Sequence, residues 1–230
     1  MCVSNKDEFI RQAEECVSQM YDQIEDLPKL ELASLDAADT ALIVIDLVNG
    51  FTLEGALSSP RVKALIAPIA DLATKCRSRG IPIVVFADSH PEISPEFTSF
   101  PVHCLENSSE SEVVDELKAV AGYHLIPKNS TNGFLEPAFC SWLLSHPNVR
   151  QFVIVGDCTD ICILQFAMSI KAYFNMKNQI SRIGVIASHV DTFDAPGHAA
   201  DVWNVLALNT MMLNGVEVFS GIEESEEAHA

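Results

Sequence analysis

Three side chains in this sequence have the types needed to open a carbonyl bond together. Cys162 lies in Gly156-Asp157-Cys158-Thr159-Asp160-Ile161-Cys162-Ile163, Asp46 ends the apolar run Ala41-Leu42-Ile43-Val44-Ile45, and Lys128 follows a third short apolar stretch. A thiolate can attack the carbonyl carbon, while a carboxylate takes the thiol proton and returns it to a leaving amine. An ammonium beside both lowers the thiol pKa and orients the carboxylate. Backbone N–H groups of the turn from Cys158 to Cys162 can hold the oxyanion. The β-branched run Phe152-Val153-Ile154-Val155 and the amphipathic stretch 160–174 read as a strand, a tight turn and a helix. A thiol in the first helical turn feels unpaired N–H groups and the positive end of the dipole, which favour the thiolate. Taken singly, each residue has an ordinary reading: a buried apolar cysteine, a turn aspartate, a loop lysine. Their common position at the ends of apolar strands is what joins them.

A second group is Asp88-Ser89-His90, followed by Glu96 and His103. The two-residue period of a strand sends Asp88 and His90 to the same side. Two imidazoles with one or two carboxylates suit a borderline divalent ion such as zinc, iron or manganese. Of the other histidines, His124, His146 and His198 read as structural and His229 sits in the tail. His189 lies just past a strand with no second ligand beside it.

The elements that must position these groups alternate regularly. Strands are expected at 41–45, 81–87, 124–126, 149–155, 183–187 and 216–219, and helices at 62–79, 110–120, 136–144, 160–174 and 199–213. Gly80 closes the first of these helices as a C′ residue, and Ser109 with Glu112 makes a capping box for the second. Continuous apolar strands alternating with helices predict an α/β, Rossmann-like three-layer fold: a six-stranded, mainly parallel sheet with helices on both faces. Ligands of such sheets bind beyond the carboxyl ends of the strands, where Asp46, Asp88, Lys128 and the Cys162 turn all fall. No GxGxxG follows the first strand, which argues against a dinucleotide site. Residues 5–26 carry apolar side chains at helical spacing and form, with the segment up to 39, an N-terminal extension packing on the domain or on a second subunit. The α/β domain then spans 40–221 and an acidic tail 222–230.

Composition narrows the setting. With 230 residues, 48% of them hydrophobic and 20% charged, the chain can build one good-sized core. A formal net charge of −18 argues against nucleic acid and anionic membrane surfaces. Much of it lies at the ends: residues 1–40 hold ten acidic and three basic side chains. Seven cysteines without a CxxC pair fit reduced thiols. No apolar run is long enough for a membrane span and the start lacks a signal-peptide layout, so a cytoplasmic protein is expected.

The motifs together resemble the isochorismatase-like cysteine hydrolases, and within them the nicotinamidases. Ile43-Val44-Ile45-Asp46-Leu47-Val48-Asn49-Gly50-Phe51 resembles the first-strand motif whose Asp is the catalytic base. Asp88-Ser89-His90-Pro91 resembles the metal-binding Asp-x-His-Pro element, and Pro101-Val102-His103 is similar to the element giving a second ligating imidazole. Glu96 matches a subgroup in which a Glu also faces the metal, Lys128 resembles the catalytic lysine, and the Cys162 turn resembles the nucleophile turn. The match runs over about residues 40–220. It implies a Cys162–Asp46–Lys128 triad, backbone oxyanion donors at Cys158 and Cys162, and a cis peptide before Cys158. It also implies a divalent metal, zinc before iron or manganese, on Asp88, His90, Glu96 and His103. Phe51 and Ile161 would contact a small amide substrate, nicotinamide first, giving nicotinate and ammonia for NAD salvage. Another small amide or an N-carbamoyl compound is the alternative, and a homo-oligomer is expected. Isochorismatases proper lack the cysteine, so Cys162 argues against that branch. Val48 stands where many relatives have Gln, and Ile161 where some nicotinamidases place an aromatic ring.

Overall fold

The computed structural model describes residues 5–223. In chain order these form α1 (Lys6–Glu25), β1 (Leu30–Glu31), β2 (Thr40–Ile45), α2 (Asn49–Thr52), α3 (Pro60–Lys63), α4 (Ile66–Ser78), β3 (Ile83–Asp88), α5 (Asp115–Val120) and β4 (His124–Lys128). There follow α6 (Pro137–Ser145), β5 (Gln151–Asp157), α7 (Leu164–Met176), β6 (Arg182–Asp191), α8 (Ala200–Leu213), β7 (Glu217–Phe219) and β8 (Ile222–Glu223). The six-stranded sheet has the order β4-β3-β2-β5-β6-β7 and every pairing in it is parallel. Every residue of β2 and β3 is buried, which is why both strands read as unbroken apolar runs rather than alternating ones.

Two apolar layers sandwich the sheet. Ile66, Ile69, Leu72 and Cys76 of α4 with Leu117 of α5 cover one face. Phe139 and Trp142 of α6, Phe166 and Ile170 of α7, and Leu208 and Met211 of α8 cover the other. Each such side chain contributes roughly 1.5–3 kcal/mol on full burial, so the sheet and its two layers dominate stability. By contrast α1 has no buried residue. It is capped by Asn5, whose Oδ1 accepts the Asp7 and Glu8 N–H groups, and it lies along α8, with Ile24 packed on the second layer. Leu30, Leu32 and Leu35 belong to the first layer, and β1 pairs in parallel with β8, a small sheet joining the two ends of the described chain.

Two expected elements differ. The helix expected over 62–79 is broken between α3 and α4. Pro68 has no N–H to give the carbonyl of residue 64, so the chain turns at Ala64-Leu65 and starts again. The capping box at Ser109 and Glu112 does not form: a short 3-10 turn covers Ser109–Ser111 and α5 begins only at Asp115. Val113 and Val114 are buried and Val113 bridges to Val48, which draws this stretch out of helix. The Glu112 carboxylate accepts from Lys118 Nζ at 2.7 Å instead of capping.

The strand order reverses between β2 and β5, and a crevice opens there at the carboxyl ends. Gly156 makes that approach possible. Its φ is +121°, and a Cβ there would sit 1.9 Å from the Ile45 carbonyl oxygen, so only glycine fits.

Candidate active site

Four strand ends converge at this crevice. Asp46 follows β2, in the left-handed region at φ +57°, a conformation that Asp tolerates better than most residues. Asp88 and Lys128 close β3 and β4 as paired neighbours in register. From β5 the chain passes through a cis Asp157–Cys158 peptide into a π-helical turn, Thr159–Ile163, which holds Cys162 and runs into α7. Such turns are wider than α-helix and recur at functional sites.

Lys128 is the hub. Its Nζ donates to Asp88 Oδ1 at 2.6 Å, to the Ser130 carbonyl at 3.0 Å and to the Cys162 sulfur at 3.8 Å. Asp46 Oδ2 completes an ion pair with it at 2.9 Å. Neither Asp46 oxygen is engaged in a hydrogen bond of good geometry, so the carboxylate keeps lone pairs uncommitted beside the thiol. All these side chains are buried.

One ammonium cannot fully satisfy two buried carboxylates, and their protonation divides accordingly. Burial pushes Asp46 up to about 7, with Asp88 adding to the rise and Lys128 and the Cys162 thiol opposing it. Burial also acts to raise Asp88, but Lys128, His103 and His90 outweigh it and hold that carboxyl well below the usual range. Burial works against the Lys128 ammonium, yet Asp46 and Asp88 overcome it and raise its pKa. At Cys162 the helix start and Lys128, expected to favour the thiolate, are outweighed. Burial lifts the thiol well above its ordinary pKa, and Asp46, Asp88 and Asp157 reinforce this against Lys128. Cys162 is thus held as a thiol beside the Asp46 carboxyl, which burial raises to about 7.

Asp88 also faces the second group. Asp88, His90, Glu96 and His103 place one ligand atom each within 4.8 Å of one another. His90 Nε2 and His103 Nε2 lie 2.9 and 3.0 Å from the same oxygen, Asp88 Oδ2, and Glu96 Oε1 lies 3.8 Å from His90 Nε2. The outer nitrogens are held as well. His103 Nδ1 donates to the Pro101 carbonyl at 2.7 Å, and His90 Nδ1 meets Asn129 Oδ1 at 2.9 Å. A carbonyl only accepts, so a neutral His103 turns its Nε2 lone pair toward a carboxylate oxygen, and His90 does likewise. Lone pairs facing one another call for a proton or a cation between them. Burial lowers both imidazole pKa values, but the Asp88 hydrogen bonds prevail and both are raised, which again marks a place for positive charge. The donors and their outer partners therefore fit a divalent ion.

Both groups open on one cavity of about 490 Å³. Asp88, Glu96, His103, Cys158 and Cys162 line it, together with Phe51 and Ile161, the two residues expected to touch substrate. Sequence reasoning missed Asn129, Phe100 and the segment Phe193–Ala195, all at or beside the cavity. Asn129 follows Lys128 directly, so the strand-end rule that finds Asp46 also points to it; Phe193 does not follow from that rule, because the strand expected to end at 187 runs on to Asp191. His189 is not part of the cavity: it lies in a groove with Pro68 and Asp71 on the α4 side. His198, expected to be structural, donates from Nε2 to Asp160 of the turn that carries Cys162, at 2.8 Å.

Known proteins resemble this chain in sequence and fold. Nicotinamidase 1 of Arabidopsis thaliana is 28% identical over 181 residues, which cover 71% of this chain and 73% of that one. The crystal structure of N-carbamoylsarcosine amidase from Thermoplasma acidophilum is 26% identical with a TM-score of 0.64, covering 84% and 99% of the two chains. A pyrazinamidase of Pyrococcus horikoshii, solved in complex with zinc, shares the fold at 24% identity and a TM-score of 0.65 over 78% and 98%. The family model described as the isochorismatase domain matches residues 40–172. That span covers more than half of the chain and includes Asp46, Asp88, Lys128 and Cys162, and it makes this protein a member of the isochorismatase family.

Proposed function

We propose that this protein is an amidohydrolase that converts nicotinamide to nicotinate and ammonia, a step of NAD salvage. The observation that carries the reading is Lys128 Nζ, set at 2.9 Å from the Asp46 carboxylate and 3.8 Å from the Cys162 sulfur. Cys162 gives its proton to Asp46 as the sulfur bonds to the amide carbon. The carbonyl electrons move to oxygen, held by the backbone N–H groups of Cys158 and Cys162. Asp46 then protonates the departing nitrogen, the C–N bond breaks, and ammonia leaves a thioester. Water adds to the thioester as Asp46 takes its proton. The C–S bond breaks, the acid departs, and the proton on Asp46 returns to the sulfur. Lys128 stays charged throughout, because three neighbours stabilise its ammonium, and it offsets the negative charge shared by Asp46 and Cys162.

A divalent ion on Asp88, His90, Glu96 and His103, zinc before iron or manganese, would supply when bound an electrophilic point for the ring nitrogen of a pyridine amide. Asp88 links this group to the triad, since one oxygen faces Lys128 and the other faces both histidines. Phe51 lies 5.7 Å from the His103 ring and also lines the cavity, so a flat ring held there has an apolar wall. The 28% identity to a nicotinamidase supports this substrate.

A second reading keeps the triad and changes the amide. Ile161 gives the cavity no ring face, and an N-carbamoylsarcosine amidase is 26% identical over most of both chains. Ammonia release from nicotinamide and from an N-carbamoyl amino acid, with and without chelator, separates the two. The proposal expects turnover of nicotinamide that chelation reduces at least about tenfold. Turnover of the carbamoyl compound alone, unaffected by chelator, overturns it.

A further inference from the structure

The loop after β6 carries a stack of three rings that reaches the cavity. Phe193 lies nearly parallel to the His198 imidazole, with centroids 4.2 Å apart and planes at 9°. Trp203, in the first turn of α8, is nearly parallel to the same imidazole at 5.0 Å and 12°. The His198 ring is tied at both nitrogens: Nδ1 donates to the Phe193 carbonyl and Nε2 to Asp160 Oδ2, each at 2.8 Å. Both partners only accept, which favours an N–H at each nitrogen and so the protonated ring. Burial opposes that charge, and the Asp160 hydrogen bond outweighs it. Ala195 and His198 exchange backbone hydrogen bonds at 3.0 and 2.8 Å, and Asp194 Oδ1 accepts the Ala200 N–H at 2.8 Å. A segment with exposed residues is thereby fixed at several points.

The free side of this loop faces the reaction. Phe193, Asp194 and Ala195 line the same cavity as Ile161 and Cys162. In strand order Phe193 follows β6 and the metal-type donors follow β3, with β2 and β5 between them. Phe51 contacts the donor side through His103. Phe193 therefore offers a ring on the other flank of the nucleophile, where Ile161 offers none.

We propose that Phe193 is the aromatic wall that selects planar ring amides, and that His198 is the positioning residue that ties this wall to the nucleophile turn through Asp160. The proposal rests on the aromatic-carboxamide reading given above. A ring whose side-chain torsions are already frozen by stacking loses little freedom when substrate arrives, so its contact appears in affinity. One face of Phe193 is taken up by His198, which leaves the cavity side for a substrate ring in an offset or edge contact.

The test is a set of kcat and KM values for wild type, Phe193→Leu, Phe193→Tyr, His198→Ala and the double variant Phe193→Leu/His198→Ala. Nicotinamide and propionamide are the paired substrates. Phe193→Leu is expected to raise KM for nicotinamide about tenfold more than KM for propionamide, with the kcat ratio of the two amides within about threefold of wild type. Phe193→Tyr restores the discrimination. His198→Ala shifts it in the same direction as Phe193→Leu, and the double variant adds less than about twofold to the larger single effect. Equal shifts for both amides, no shift, or multiplying effects overturn the proposal. If wild type releases ammonia from propionamide or a carbamoyl compound but from no aromatic amide, the functional reading fails by itself. Benzamide then serves as a competitive inhibitor of the amide that is turned over. Weaker inhibition of Phe193→Leu than of wild type sustains the wall, and equal inhibition overturns it.

Discussion

Two charged contacts hold the turn that carries Cys162, and they are built in opposite ways. Lys128 with Asp46 and Asp88 sits on consecutive strand ends of the sheet, with every side chain buried. His198 with Asp160 holds a loop whose residues Asp194 to Gly197 are all exposed. The first contact is held from beneath by two packed apolar layers. The second depends on one imidazole, two rings stacked on it and a few hydrogen bonds. The difference teaches a division of labour. Under the proposed mechanism, the groups that move protons are fixed by the fold itself, while the proposed aromatic wall is attached to it by fewer contacts.

The largest effect expected from breaking this division comes at Lys128. Lys128→Met leaves two buried carboxylates without their cation, and losing one partner of a buried pair costs about 3–5 kcal/mol. Urea unfolding should record that loss, together with abolished ammonia release. A stability change below about 1 kcal/mol would mean the buried network is not what holds the strand ends.

Metal loading comes next. Zinc added to metal-stripped protein should raise the melting temperature. Binding at a hundredfold excess over Kd is worth about 2.7 kcal/mol, and His103→Ala should remove the shift. An undiminished shift in that variant would place the ion elsewhere.

The pH dependence follows from Asp46. The base must be ionised to take the thiol proton, and burial raises its pKa to about 7. The logarithm of kcat/KM should therefore be flat above that pH and fall as pH drops through it, by about tenfold per unit. A profile flat down to the ordinary carboxylate range would remove Asp46 from the role of base.

On the loop side the effects are smaller. Asp160→Asn keeps the shape of the turn but weakens a charge-assisted bond, for a loss of about 1–3 kcal/mol, and it should raise KM for an aromatic amide more than it lowers kcat. An equal fall in kcat would make Asp160 part of the proton-moving side. At the far end of β6, the Arg182–Glu217 pair is half exposed at 2.8 Å. Arg182→Ala should cost less than about 1 kcal/mol, which sets the scale for an ion pair with no buried charge to strand.

The same contrast explains what could be read before any coordinates. Asp46, Asp88 and Lys128 each end an apolar run, so their sides and depths follow from strand periodicity and the strand-end rule. The alternation of strands and helices made the three-layer fold legible for the same reason. The donor group His90, Glu96 and His103 was legible because its members crowd into one segment beside Asp88. His198 was not, because its partner Asp160 lies 38 residues away and no local pattern joins them. Phe193 was hidden in Phe193-Asp194-Ala195-Pro196-Gly197, whose composition reads as an ordinary turn. The resting state of Cys162 escaped because a helix start argues for thiolate, whereas burial among carboxylates, which only packing reveals, favours the thiol. The break in the helix over 62–79 was written in Pro68, but the apolar spacing on either side masks it.

The central claim is that Cys162 carries the acyl group during amide hydrolysis, and ammonia release from nicotinamide by wild type and Cys162→Ala tests it most directly. The two proteins should melt alike, since the change removes one sulfur at the cavity wall. Wild type should release ammonia steadily while Cys162→Ala stays at least about a thousandfold slower. A folded Cys162→Ala that turns over nicotinamide at the wild-type rate would contradict it.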